Sequence, residues 1–107
     1  MSEPLRLVLV TAPDAAVART LARGLVEAKH AACVNVLPGL TSFYRWEGTI
    51  HEDAEVLLLI KTRAAALPAL QAFVRAHHPA KVPEIVALDV AAGDRQYLDW
   101  VAAETAP

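Results

Sequence analysis

An α+β fold in the order β-α-β-β-α-β, closed by one more helix, is predicted by three features of the 107-residue sequence. Short apolar runs alternate with amphipathic stretches of helical period. Two long β-rich runs meet at a two-residue turn, Glu47-Gly48. Proline, glycine and aspartate fall where each element should start or stop. This is the split βαβ, or ferredoxin-like, pattern, and residues 1–107 read as a single domain.

The elements follow in order. Leu5 to Thr11, LRLVLVT, suits a short buried strand. Ala12-Pro13-Asp14 ends it, and the carboxylate of Asp14 is placed to cap a helix. From Ala15 to about Lys29, Val17, Leu21, Leu25 and Ala28 recur at helical spacing, with Arg19, Arg23 and Glu27 opposite. Gly24 should weaken that helix by about 1 kcal/mol relative to alanine. Cys33 to Trp46 is rich in β-branched and aromatic residues, and Thr49 to Thr62 ends in the run Val56-Leu57-Leu58-Leu59-Ile60. Pro38-Gly39 interrupts the first of these strands, so a bulge or kink is expected there.

A second helix spans about Leu67 to Ala76, with Pro68 in its first turn and an apolar line of Leu67, Leu70, Val74 and His77. His77-His78-Pro79 ends it, because the residue before proline avoids helical geometry. Ile85 to Val90 is the fourth strand. Asp94 should cap a last helix, Gln96 to about Glu104, with Tyr97, Leu98 and Val101 inward. The two inner helices should cover one face of the sheet. The other face, an apolar fraction of 55 % and a hairpin longer than a core of this size needs all call for a partner, and a symmetric oligomer supplies one.

Composition narrows the function. Net charge is −2 and the pI about 6.0, which gives no electrostatic case for nucleic acid or an anionic membrane. A single cysteine, Cys33, excludes an internal disulfide and a multi-cysteine zinc site, and a reducing, cytoplasmic compartment is expected. No run approaches the roughly 20 apolar residues of a membrane span. No phosphate loop, nucleophile elbow, CxxC or HExxH motif is present, so an enzyme is not expected.

Few residues remain to carry chemistry. Cys33 reads as a soft metal ligand or reactive thiol, or else as a small core residue beneath the first helix. His77 and His78 are adjacent and cannot both chelate one ion from a helix face. His51 should sit opposite Tyr44 across the hairpin, in a packing role. Lys61, Arg63 and Glu84 flank the strand ends and the proline-rich loop, as an ion pair or as an anion site in an intersubunit cleft. Phe43, Tyr44 and Trp46 form an aromatic group near the hairpin tip, suited to anchoring an interface.

Three segments together have a further meaning: AACVNVLPGLTSFYRWEGTIHEDAEVLLLIKTR, HPAKVPEIVALDV and the YLDWV of the last helix, with the TAPD loop before them. In this order the chain resembles the CutA family of divalent-cation-tolerance proteins over nearly its whole length. The resemblance implies a homotrimer built from the long hairpins, kinship in fold with the PII signalling trimers, and an association with copper or other divalent metals. Cys33, Lys61, His78 and Glu84 match the family pattern. They carry over as candidates, Cys33, His78 and Glu84 for a metal, and Lys61, His78 and Glu84 with Trp46 for a cleft ligand. One departure stands out: Ala80-Lys81 occupies the place of a usual tyrosine and acid, which makes the expected cleft more open and more basic. The two functions implied are a metal-responsive trimer in copper tolerance and a regulatory or scaffold trimer that binds a small anion or a protein.

Overall fold

The computed structural model describes residues 3–107. Its elements are β1 (Leu5–Ala12), α1 (Ala15–Glu27), β2 (Cys33–Trp46), β3 (Thr49–Arg63), a 3-10 turn (Ala64–Ala66), α2 (Leu67–His77), β4 (Ile85–Asp89) and α3 (Arg95–Glu104). The four strands form one antiparallel sheet in the order β2-β3-β1-β4. The ferredoxin-like architecture expected from the sequence is therefore present, with the additional terminal helix.

Local chemistry explains the boundaries. Asp14 caps α1, its Oδ1 accepting from the Val17 amide at 2.9 Å, and Asp94 caps α3 through the Tyr97 amide at 3.0 Å. α1 stops two residues before the expected end. Lys29 turns left-handed (φ 62°), and the amides of Lys29 and His30 fold back onto the carbonyls of Val26 and Leu25. Pro68 lies in the first turn of α2, as its missing N–H requires. The hairpin turn is Glu47-Gly48, with φ of 50° and 80°. Both central residues lie in the left-handed region that matches the twist of the flanking strands.

The core lies between the sheet and α1 with α2. Val8, Val10, Leu58 and Ile60 from the strands meet Leu21 and Leu25 of α1 and Leu70 and Val74 of α2, all essentially without solvent exposure. Each such side chain contributes about 1.5–3 kcal/mol on burial. Gly24 belongs to this packing. A Cβ there would collide with the Phe73 ring of α2, reaching Cε1 at 3.1 Å and Cζ closer still. Phe73 is itself held between His30 and His77, with ring centroids at 5.8 and 4.1 Å. The glycine that the helix scale counts as a weakness is where two helices come together. Gly24→Val is expected to lower stability by about 1–3 kcal/mol by overpacking. Chemical denaturation of Gly24→Val alone and combined with Phe73→Ala measures this, since the added loss should shrink once the ring is gone.

The opposite face is largely open. Leu7, Leu9, Leu57 and Leu59 are half-buried on it, while Leu37, Val86 and Leu88 are exposed. α3 covers only one end, packing Val101 against Leu5 and Ala32. Of its residues expected inward, Val101 is buried and Leu98 half-buried, but Tyr97 is 41 % exposed, because the helix rests on the rim of the sheet and not across it. Arg63 ties the helix down. Its Nε and Nη2 donate to the Thr105 carbonyl at 3.1 and 2.6 Å, and Nη1 pairs with Glu3 at 2.6 Å.

β2 and β3 outrun the sheet. β1 ends opposite Val56, so Thr49 to Glu55 has only β2 beside it, and the molecule extends to 47 Å along its long axis. The pairing slips between Leu37↔Leu57 and Leu40↔Glu55, so one extra residue is taken up at Pro38-Gly39. This is the expected bulge, with Gly39 at φ 91°. Before it, odd-numbered β2 residues face the open side. After it, Leu40, Ser42, Tyr44 and Trp46 do.

Candidate functional site

A cleft of about 510 Å³ opens where the projecting hairpin meets the loop from α2 to β4. That volume is within the range of small-molecule sites. Ser42, Tyr44, Trp46 and Glu55 line it from the hairpin, Thr11 from the end of β1, and His78, Lys81, Pro83 and Glu84 from the loop. The bulge decides the hairpin wall, because it turns Tyr44 and Trp46 to the same side as Glu55.

The hairpin wall is braced across its own ladder. Tyr44 sits opposite His51 and stacks on it, with centroids 5.2 Å apart. Its hydroxyl donates to the Asp53 carboxylate, and that bond, with the negative charge behind it, raises the phenol above its ordinary pKa. The sequence reading of His51 as a packing partner of Tyr44 thus agrees with the structure. Phe43 takes no part in that stack; its position in the ladder puts it on the other face, 66 % exposed, and it reaches the cleft only at its edge.

The loop wall is held by His78. Its backbone amide closes α2 on the Val74 carbonyl at 2.8 Å. In the side chain, Nδ1 accepts from the Ala80 amide at 3.0 Å. A neutral ring then carries its proton on Nε2, which donates to the Thr11 carbonyl at 2.7 Å. Within the cleft Lys81 brings an ammonium, and Glu55 and Glu84 bring carboxylates. None of the three is in an ion pair among the described residues.

Trp46, His78 and Glu84 therefore come together, while Lys61 and Cys33 lie elsewhere. Lys61 pairs with Cys33 across β3 and β2, level with Leu7 of β1, at the far end of the open face. From Leu7 to Thr11 is four strand residues, about 13 Å. Lys61 donates to the Asn35 side chain and, at 3.2 Å, to the Leu59 carbonyl, not to Glu84. Cys33 is half-buried beside Tyr97, opposite in parity to Val34, and so not beneath the first helix. Burial, then a hydrogen bond with Cys33, raises the Tyr97 phenol above its ordinary value.

A metal site made of Cys33, His78 and Glu84 does not fit one protomer. The thiol is a strand length away, and both nitrogens of His78 are engaged. Among the described residues no three His, Cys, Asp or Glu side chains gather as a ligand set. Sequence reasoning missed Glu55 and Thr11 as cleft residues, whereas Lys81 lines the cleft as the family resemblance implied. The signal for Glu55 was the Pro38-Gly39 bulge; for the loop it was the proline pair that bends Pro79 to Pro83 back over the strand ends.

Comparison with known proteins agrees with this architecture. The family described as CutA1 divalent ion tolerance protein matches residues 6–104. A "Divalent-cation tolerance protein CutA" from Thermus thermophilus is 57 % identical over 99 residues, covering 92 % of this chain and 96 % of that protein. The crystal structure of CutA1 from Oryza sativa superposes with a TM-score of 0.95 at 43 % identity, over 98 % of this chain and 96 % of the other. A relative from Oryza sativa subsp. japonica named "Protein CutA 1, chloroplastic" is 45 % identical over 98 residues, 92 % of this chain and 55 % of that protein.

Proposed function

The chain belongs to the CutA1 divalent ion tolerance family, and we propose from that premise that it serves divalent-cation tolerance as a homotrimer, by binding and not by catalysis. The observation that supports this most is the open sheet face, where seven apolar side chains and a hairpin with unpaired edges have no cover in the protomer. Three copies joined through their hairpins would bury that face and pair those edges. A divalent ion is the ligand the family name suggests, and copper is the one the sequence resemblance implies. Since Cys33 does not meet His78 and Glu84 within a chain, the metal reading needs donors from more than one protomer. No helix among the described residues is long and apolar enough to cross a membrane. We place the trimer in the cytoplasm, a reducing compartment that suits the free thiol of Cys33.

A second reading is favoured by Lys81. Its unpaired ammonium at the cleft suits a small anion or an acidic segment of a partner protein, so the trimer would act as a regulatory scaffold. Light scattering at micromolar concentration should give the mass of three chains, and a stable monomer would defeat the proposal. Calorimetric titration of that trimer with copper and zinc salts, and separately with small anionic metabolites, divides the two readings by which set gives saturable heat.

A further inference from the structure

We infer that His78 is a positioning residue that clasps one wall of the cleft, and that it is not available as a metal ligand. Three segments meet at this residue. Its backbone amide finishes α2 on Val74, its Nε2 reaches β1 at Thr11, and its Nδ1 gathers the loop at Ala80. The sequence favours this arrangement. Pro79 keeps His78 extended (φ −90°, ψ 136°), so the chain turns immediately and brings the Ala80 amide back to the imidazole of the residue two before it. Thr11 lies one residue past the last β1–β4 pair, Val10↔Ile85, where a side-chain donor can reach its carbonyl.

The consequence for metal chemistry is direct. An imidazole binds an ion through an unprotonated nitrogen whose lone pair is free. In His78 the lone pair of Nδ1 is taken by an amide and Nε2 carries the proton given to Thr11. Coordination at either nitrogen would break one of the two bonds and release the loop that carries Lys81 and Glu84. The residue that the family resemblance suggests for a metal is the one whose geometry holds the cleft closed at its back. This stands apart from the trimer proposal, since all the contacts are within one chain.

The test uses the assembled protein labelled with ¹⁵N-histidine. The imidazole spectrum should show His78 as a single neutral ring protonated on Nε2. Addition of zinc chloride to one equivalent per protomer should leave both ring nitrogens where they were. In uniformly ¹⁵N-labelled protein, exchange of the Ala80 amide should be slow, about tenfold faster in His78→Ala, and largely restored in His78→Asn, whose side-chain oxygen can stand in for Nδ1. A zinc-dependent shift of either His78 nitrogen would overturn the assignment. So would an Ala80 amide that exchanges equally fast in the native protein and in His78→Ala. If His78→Ala fails to fold, the native spectrum and His78→Asn still decide it.

Discussion

Leu9→Glu is expected to turn the proposed trimer into monomers while leaving the protomer folded. Leu9 is at the centre of the open face, between Leu59 and Val86 on the flanking strands. In a lone protomer a carboxylate there can reach water, because the face is uncovered and the side chain is only half-buried. In an assembly that covers this face it would be buried beside Leu59 and Val86. Burying an unpaired charge costs several kcal/mol for each subunit, and three subunits would bear it together. Light scattering should report one-third of the native mass, with far-UV circular dichroism retained. A Leu9→Glu protein that remains trimeric would show that this face is not the interface.

Arg63→Ala carries the second large effect. The guanidinium is 11 % exposed and makes bonds to the Thr105 carbonyl and to Glu3. Thr105 is the residue that ends α3, so the charge sits where the helix dipole is negative. Removing it leaves a carbonyl without its donor and loosens the helix that seals Leu5 and Ala32. A loss of about 3 kcal/mol is expected, counting two or three charge-assisted bonds. Thermal unfolding should fall by about 10 °C or more for a domain of this size. Arg63→Lys should recover little, since an ammonium cannot reproduce the forked donation. Amide exchange should place the loosening in α3, and an α3 as protected as in the native protein would contradict the role given to Arg63.

The sequence was most informative where one rule decides one position. Asp14 and Asp94 as caps, Pro68 in a first turn, Glu47-Gly48 as the hairpin turn and His51 opposite Tyr44 all rest on local geometry, and the structure has each of them. It was weakest where two distant segments meet. Gly24 looks like a flaw until Phe73 is seen against it. Tyr97 follows the helical period inward, yet its helix lies on the rim of the sheet. Cys33 and Lys61 sit far from His78 because strand register, which spacing alone does not reveal, sends them to the other end. For the site, the loop and aromatic residues were legible as pieces, whereas Glu55 joined them only through a bulge of one residue.

That bulge gives the hairpin one residue of slack. Removing either Pro38 or Gly39 would leave a single residue opposite Val56, so that Leu37↔Leu57 and Leu40↔Glu55 would join in one regular ladder. Tyr44 and Trp46 would keep their partners and their side. The stack on His51 and the bond to Asp53 would stay. A strand that zips up from the Glu47-Gly48 turn and one that zips up from the Cys33 end agree only if the spare residue is parked at this spot. A single deletion here is thus absorbed by the ladder, whereas one more residue in either half would need a second bulge to keep Tyr44 and Trp46 on the cleft side.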